Sequence, residues 1–230
     1  MKKLTIIFAV IGLISVLFAT TMTVHTTTGE QEFEISEITS ITFNSGGASN
    51  PFTDDFENQS LSNWVIGGRQ EGTNEASVVM RNGSYSGYLY QAQFTEITLE
   101  KDLPLDNNMT FNFDMETEVN SEAGGTSDFY ATAGVWFYFY NDNDEIIGRV
   151  AYIKSTSTYA FNANSNPDDN INEITANGNQ SYSFTMNELL NQITPTGDIS
   201  YVKLMFKPYT SGWPYNMWGK VWIDNVDVSW

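Results

Sequence analysis

The stretch Gly219–Trp230, GKVWIDNVDVSW, decides the fold. Val221, Trp222, Ile223, Val226 and Val228 are strand formers with no Pro or Gly among them. Val221 and Ile223 share one parity, whereas Val226, Val228 and Trp230 share the other. A strand of period 2 buries both sets on one face only if an extra residue separates them. The sequence therefore predicts a β-bulge at Asp224–Asn225. An acid at a bulge beside a core strand is a candidate cation ligand, and an Asx turn in an edge strand is the competing reading.

Working outward, the chain from Phe52 onward consists of short strand patterns separated by turn clusters, without the βαβ alternation of an α/β fold. Ser77–Arg81 and Gly87–Gln93 are joined through Asn82-Gly83-Ser84, and Phe94–Leu99 follows. In Met109–Glu118, Met109, Phe111, Phe113 and Met115 alternate with Thr110, Asn112, Asp114 and Glu116. That is a half-buried strand with one acidic, amide-rich face. Ala133–Tyr140 turns Val135, Phe137 and Phe139 one way and Trp136, Tyr138 and Tyr140 the other. It forms a hairpin with Glu145–Lys154 through Asn141–Asp144.

Ser155–Gln180 reads as one long polar loop with Tyr159 and Phe161 as anchors. A short helix is expected over Asn187–Gln192, a strand over Tyr201–Lys207, and an aromatic loop over Pro208–Gly219. The fold class that follows is all-β, a two-sheet antiparallel β-sandwich with one short helix.

The N-terminal part differs in kind. Met1–Lys3 is positive and Leu4–Ala19 is an uncharged apolar run, so residues 1–19 read as a secretory signal peptide. The run is short of the ~20 residues of a transmembrane helix, and a retained anchor is the alternative. Residues 20–43 read as a small N-terminal β segment, similar to one found after the signal peptide in secreted bacterial proteins. Val24, His25, Gly29, Phe33, Ile35, Ser36, Ile38, Ile41, Thr42 and Phe43 carry that likeness, which implies export. Residues 44–51 (NSGGASNP) form a linker, and 52–230 the main domain.

Composition excludes several functions. Asp and Glu number 28 against 10 Lys and Arg, a balance unsuited to phosphate contacts, so nucleic acid is not a partner. With no Cys there is no disulfide, thiol nucleophile or Cys-ligated zinc, and the single His, His25, leaves the main domain without His-based catalysis. Phe, Tyr and Trp make up 14% of the 230 residues, which suits sheets and stacking surfaces.

Four landmarks in order carry a family resemblance: Asp54-Asp55-Phe56-Glu57 with Leu61-Ser62-Asn63-Trp64; Asn82-Gly83-Ser84-Tyr85-Ser86; the short helix before Tyr201–Phe206; and Ile223-Asp224-Asn225-Val226. Residues 52–230 thereby resemble the galactose-binding-like jelly-roll carbohydrate-binding modules of secreted polysaccharide-degrading systems. Ser86-Gly87 departs from the family, which continues with a bulky apolar residue. The resemblance implies a structural Ca²⁺ with Glu57 and Asp224 as side-chain ligands, Asp55 joining or replacing Glu57, and backbone oxygens near Asn82–Ser84 helping. Hard oxygens of this kind are what Ca²⁺ takes.

Sugar rings stack their C–H faces on aromatic rings and need amides and carboxylates for their hydroxyls. Trp136, Tyr138 and Tyr140 beside Asn112, Asp114 and Glu116 can supply both. Trp213, Tyr215 and Trp218 are a second candidate platform, and Arg149 can orient a hydroxyl or a uronate carboxylate. Asp114 and Glu116, about 6–7 Å apart along the strand, also fit a glycosidase acid pair. The expectation is a secreted monomer that binds a polysaccharide or oligosaccharide without cleaving it, with a cell surface or secreted enzyme as possible further partner. A structural or adhesive surface protein is the alternative.

Overall fold

The computed structural model describes residues 21–26, 29–34, 52–68, 74–92, 96–122, 129–211 and 216–230. The chain divides into two compact units, Met1–Gly47 and Ala48–Trp230. In the first, β1 (Thr21–Thr26) and β2 (Gly29–Glu34) form an antiparallel hairpin running from the pair Thr21 and Glu34 to Thr26 and Gly29. The rest of the expected β segment, residues 35–43, and the signal-peptide residues lie outside the described residues.

The second unit is a two-sheet sandwich. Its strands are β3 (Phe52–Asp54), β4 (Val65–Gly68), β5 (Glu75–Arg81), β6 (Ser84–Ala92), β7 (Ile97–Pro104), β8 (Thr110–Ser121), β9 (Ala131–Tyr140), β10 (Ile146–Ser155), β11 (Asp169–Glu173), β12 (Gln180–Thr185), β13 (Tyr201–Thr210) and β14 (Met217–Ser229). The front sheet has the order β11-β10-β9-β13-β7-β4, and the back sheet β12-β8-β14-β6-β5, with β3 also paired to β14. Consecutive strands such as β6, β7, β8 and β9 alternate between the sheets, which staples the two layers together.

The core follows the parity read from sequence. Val135, Phe137 and Phe139 of β9 and Val202, Leu204 and Phe206 of β13 face Phe111, Phe113 and Met115 of β8, all buried. Phe111 meets Phe137, and Phe113 meets Phe206, edge to face at 5.0 Å. The expected bulge is present in β14. Asp224 pairs with Asp114 and Asp227 with Asn112, so β14 spends one more residue than β8 between the two pairs. Asn225 takes it up with φ of 49°. Val221 and Ile223 before the bulge and Val226 and Val228 after it thus enter the same core.

Asn82-Gly83 closes the β5–β6 hairpin with φ of 53° and 97°, the two-residue turn that suits the strand twist. Gly87, the departure from the family pattern, has its own reason. A Cβ there would lie 2.8 Å from the ring of Phe56, which is fully buried. Phe56 and Trp64 stack at 6.1 Å, and the buried Asp54 carboxylate accepts from the Phe56 amide at 3.0 Å and the Trp64 indole at 2.9 Å. Phe56 and Trp64 are therefore core residues tied together by the buried Asp54, whereas Asp55 and Glu57 are exposed.

Three expectations change. Ser155–Gln180 is not one irregular loop, because it holds a 3-10 helix, Thr158–Ser165, and β11, which pairs in parallel with β10. Strand β11 was hidden because its buried face amounts to Ile171, while Asn170 and Asn172 hold it with side-chain hydrogen bonds to Gln192 and the Ala151 carbonyl. Strand β13 runs through Pro208 to Thr210, and β14 begins at Met217, so six of the eight described residues of the expected loop Pro208–Gly219 are strand. The helix, α1 (Met186–Leu190), starts at a capping box between Thr185 and Glu188 and buries Met186 and Leu189. Among the described residues no helix is long and apolar enough to cross a membrane.

Candidate functional site

The sandwich has two outward faces, and the sequence-derived site residues divide between them. Strands β8 and β9 are consecutive in the chain but belong to opposite sheets. The expected single surface of Trp136, Tyr138 and Tyr140 beside Asn112, Asp114 and Glu116 is therefore corrected: the aromatic set is on the front face and the polar set on the back. The alternation in each strand fixed its outward residues, but strand order depends on connections between sheets that alternation does not encode.

On the front face the aromatics form a row. Trp136 and Tyr138 lie 5.9 Å apart at 21°, Tyr138 and Tyr140 6.5 Å apart, and Tyr140 stacks on Tyr201 at 4.8 Å and 2°. Tyr201 was missed as a site residue, although its parity, opposite to Val202, already places it outward. Ala151, Ile153, Ile171 and Met205 pack around Trp136 and Tyr138, together with Ala160 and Phe161 of the 3-10 helix. Burial raises the Tyr140 phenol above its ordinary range, with Lys203 opposing.

Each cation on this face has an acid. Arg149 holds Asp169 bidentately at 2.5 and 2.8 Å, so it is committed within the protein. Lys203 pairs with Glu100 at 2.9 Å and Asp102 at 3.6 Å, and Lys207 with Glu96 at 2.6 Å. Burial pulls the Lys207 ammonium down, but Tyr138, Glu96 and Tyr209 outweigh it and hold its pKa above the usual lysine value. These cations lie over the rings: Lys207 is 5.3 Å and Arg149 6.0 Å from the Trp136 centroid, and Lys203 5.6 Å from that of Tyr140.

The back face is acidic. Asn112 reaches Asp227, Asp114 accepts from Ser181 and Asn225, and Glu116 binds Arg81 at 2.7 Å. Asp114 and Glu116 thus share a face but have separate partners. A shallow recess is lined by Arg81, Asn82, Ser84, Glu116, Asn179 and Asp224, with Trp222 beneath. The Arg81 guanidinium lies 3.8 Å from the Trp222 ring centroid, and Tyr88 5.3 Å from it. Neither Trp222 nor Arg81 was foreseen as part of a site; the parity of Trp222 against Val221 and Ile223 was the available signal. Trp218 lies on this face with the Lys220 ammonium 4.4 Å over its ring. Its expected companions, Trp213 and Tyr215, are outside the described residues.

The expected calcium ligands gather near the Asn82–Tyr85 turn. Glu57 accepts from the Tyr85 amide at 2.8 Å, Asp224 from the Ser84 hydroxyl at 2.8 Å, and Asp55 from the Glu57 amide in an Asx turn. Burial, then the nearby Asp114 and Glu57 charges, raise the Asp224 pKa against two hydrogen bonds that lower it. Asp224 thus shares like charge with Glu57 and Asp114. However, among the described residues no group of three or more acid or histidine side chains is placed to share one metal ion. As arranged, these carboxylates form a hydrogen-bonded cluster that does not fit a ready-made ligand shell.

No protein-family model and no curated protein matches the chain. Similar solved structures include the enzymatically active domain of tailspike protein 4 from bacteriophage CBA120, at 10% identity and TM-score 0.43, covering 76% of this chain. The chain spans only 20% of that protein's length. A β-sandwich carbohydrate-binding module described for promiscuous specificity is 11% identical with TM-score 0.45, covering 90% of this chain and 72% of that one. A family 28 module specific for non-crystalline cellulose is 13% identical with TM-score 0.42, covering 76% and 91%. These are distant likenesses that assign neither ligand nor activity to this chain.

Proposed function

We propose that the chain is a secreted, non-catalytic carbohydrate-binding protein that lays a glycan along the front face. One observation carries this reading: Trp136, Tyr138, Tyr140 and Tyr201 form an aromatic row on the outward side of adjacent central strands, Tyr140 and Tyr201 being its less buried end, and each nearby cation is paired with a carboxylate. From Trp136 to Tyr140 the strand rises about 13 Å, but Trp136 and Tyr138 are each only 8% exposed, in a cluster packed by Ala160 and Phe161, so a sugar engages first at the Tyr140–Tyr201 end. The C–H faces of the sugars stack on the rings, and the paired Lys203 and Glu100 offer a donor and an acceptor to hydroxyls. The back-face aromatics are less suited, because Arg81 and Lys220 occupy the stacking sides of Trp222 and Trp218.

The non-catalytic reading rests on the separate engagements of Asp114 and Glu116, which leave neither poised as acid and base for one bond. Export rests on residues 1–19. The test is calorimetry of the protein against soluble glucans, xylans, mannans and galactans. Binding that falls at least tenfold in Tyr140→Ala is expected. Absence of binding across the panel overturns the reading and favours a structural or adhesive surface protein.

Calcium belongs to the same proposal. The Asp224, Glu57 and Asp114 carboxylates have no ion-pair partner among the described residues, so a cation drawn in by rearrangement would relieve their repulsion. A melting temperature that rises with Ca²⁺ over EDTA, and does not in Asp224→Ala, supports it; equal melting in both removes it.

A further inference from the structure

Four buried side-chain polar atoms among the described residues lack a hydrogen-bond partner, and two of them, Trp136 Nε1 and Thr132 Oγ1, are on the outward face of β9. Trp136 is 8% exposed and Thr132 2%. A buried donor without an acceptor weakens the free protein, and a phenylalanine ring at position 136 would provide apolar contact without that cost. By contrast, the indole of Trp64 is buried with its N–H given to Asp54. The unpaired donor thus sits at one end of the aromatic row, flanked by Lys207 and Arg149, in the cluster that Ala160 and Phe161 pack against.

The charges around it narrow what can supply the missing acceptor. Arg149, Lys203 and Lys207 are each neutralised by Asp169, by Glu100 and Asp102, and by Glu96. The chain as a whole carries a formal charge of −18. A polyuronate or sulfated glycan would meet net repulsion and would have to displace an existing carboxylate from its cation. A neutral sugar oxygen meets neither obstacle.

We propose that the front face selects neutral glycans, and that one sugar oxygen accepts a hydrogen bond from Trp136 Nε1 when the glycan binds. This rests on the carbohydrate-binding reading above and adds the ligand class and the residue that reads it. The side chains covering the indole must yield for the sugar to reach the donor. Trp136 then serves twice, its ring for stacking and its N–H for recognition. Because the donor is unpaired only in the free state, removing it affects binding and folding in opposite directions.

The experiment compares wild type with Trp136→Phe, using neutral gluco-, xylo- and galacto-oligosaccharides and oligogalacturonate as probes. Calorimetry, thermal melting and the ¹⁵N-indole NMR spectrum are recorded on both proteins. Expected are neutral-glycan binding by wild type, at least tenfold weaker binding of oligogalacturonate, and about tenfold weaker neutral-glycan binding by Trp136→Phe. The variant should melt no lower than wild type. The indole resonance missing from the variant should shift in wild type when the neutral glycan is added. The proposal is overturned by unchanged affinity in the variant, by tighter binding of oligogalacturonate, or by an indole resonance that stays put during wild-type binding. The last result decides the matter even if the variant folds poorly. A variant that melts lower with unchanged affinity would show the N–H satisfied by an ordered water instead. If wild type binds no probe, it is the carbohydrate-binding reading itself that fails.

Discussion

The front and back faces of the sandwich carry similar residue types yet differ in what covers the rings. Both present outward Trp and Tyr, and both present Lys or Arg near them. On the back face the cations occupy the rings, with Arg81 at 3.8 Å from the Trp222 centroid and Lys220 at 4.4 Å from that of Trp218. On the front face the cations lie farther over the rings, 5.3–6.0 Å from the Trp136 and Tyr140 centroids, and each is paired with a carboxylate. An aromatic ring capped closely by the protein's own guanidinium is a structural contact, and Trp136 on the front face is as buried as Trp222 on the back, each 8% exposed. Aromatic content alone therefore does not locate a sugar site.

The comparison can be broken most directly at Trp222. Trp222→Ala should destabilise the domain by ~3 kcal/mol, as for other large buried aromatics, with glycan affinity per folded molecule unchanged; lost affinity would move the site to the back face. Arg81→Ala removes the cap and leaves the mostly buried Glu116 unpaired, so a stability loss of ~1–2 kcal/mol is expected in urea denaturation. Tyr140→Ala should do the reverse, weakening glycan binding about tenfold, or ~1.4 kcal/mol, with a smaller change in melting temperature than Trp222→Ala.

The smallest effect concerns pH. The folded Asp224 carboxyl holds its proton more tightly than the free group at 3.8, through burial and the Asp114 and Glu57 charges. The folded state therefore binds more protons there, and this contribution to stability is present below pH 3.8 and lost as pH rises through the higher folded value. In EDTA, Asp224→Asn should melt slightly above wild type at pH 7, and the gap should close toward pH 3.8. A gap that widens on acidification would mean that the cluster is not repulsive.

Local features were legible where a backbone rule produces them. The parity change between Ile223 and Val226 gave the bulge, Asn82-Gly83 gave the hairpin, and the alternation of β8 and β9 gave their inward faces. What escaped was non-local or carried little apolar signal. The separation of β8 from β9 is a matter of sheet order, and β11 buries little besides Ile171. Three of the four rings of the front-face row were readable as Trp136, Tyr138 and Tyr140, but joining Tyr201 to them required knowing that β13 lies beside β9.

The bulge in β14 has a mechanical consequence. Before it, Trp218–Ile223 pair with β6; after it, Val226–Val228 pair with β3, where Phe52 faces Val228 and Asp54 faces Val226. The first and last strands of the sandwich thus meet with their outer ends side by side. Tension between a tether before Phe52 and one after Trp230 would pull at that shared end and peel β3 from β14 one residue pair at a time, a low-force opening. The front sheet would carry none of the initial load, so a glycan held there would stay bound while the first strand came away.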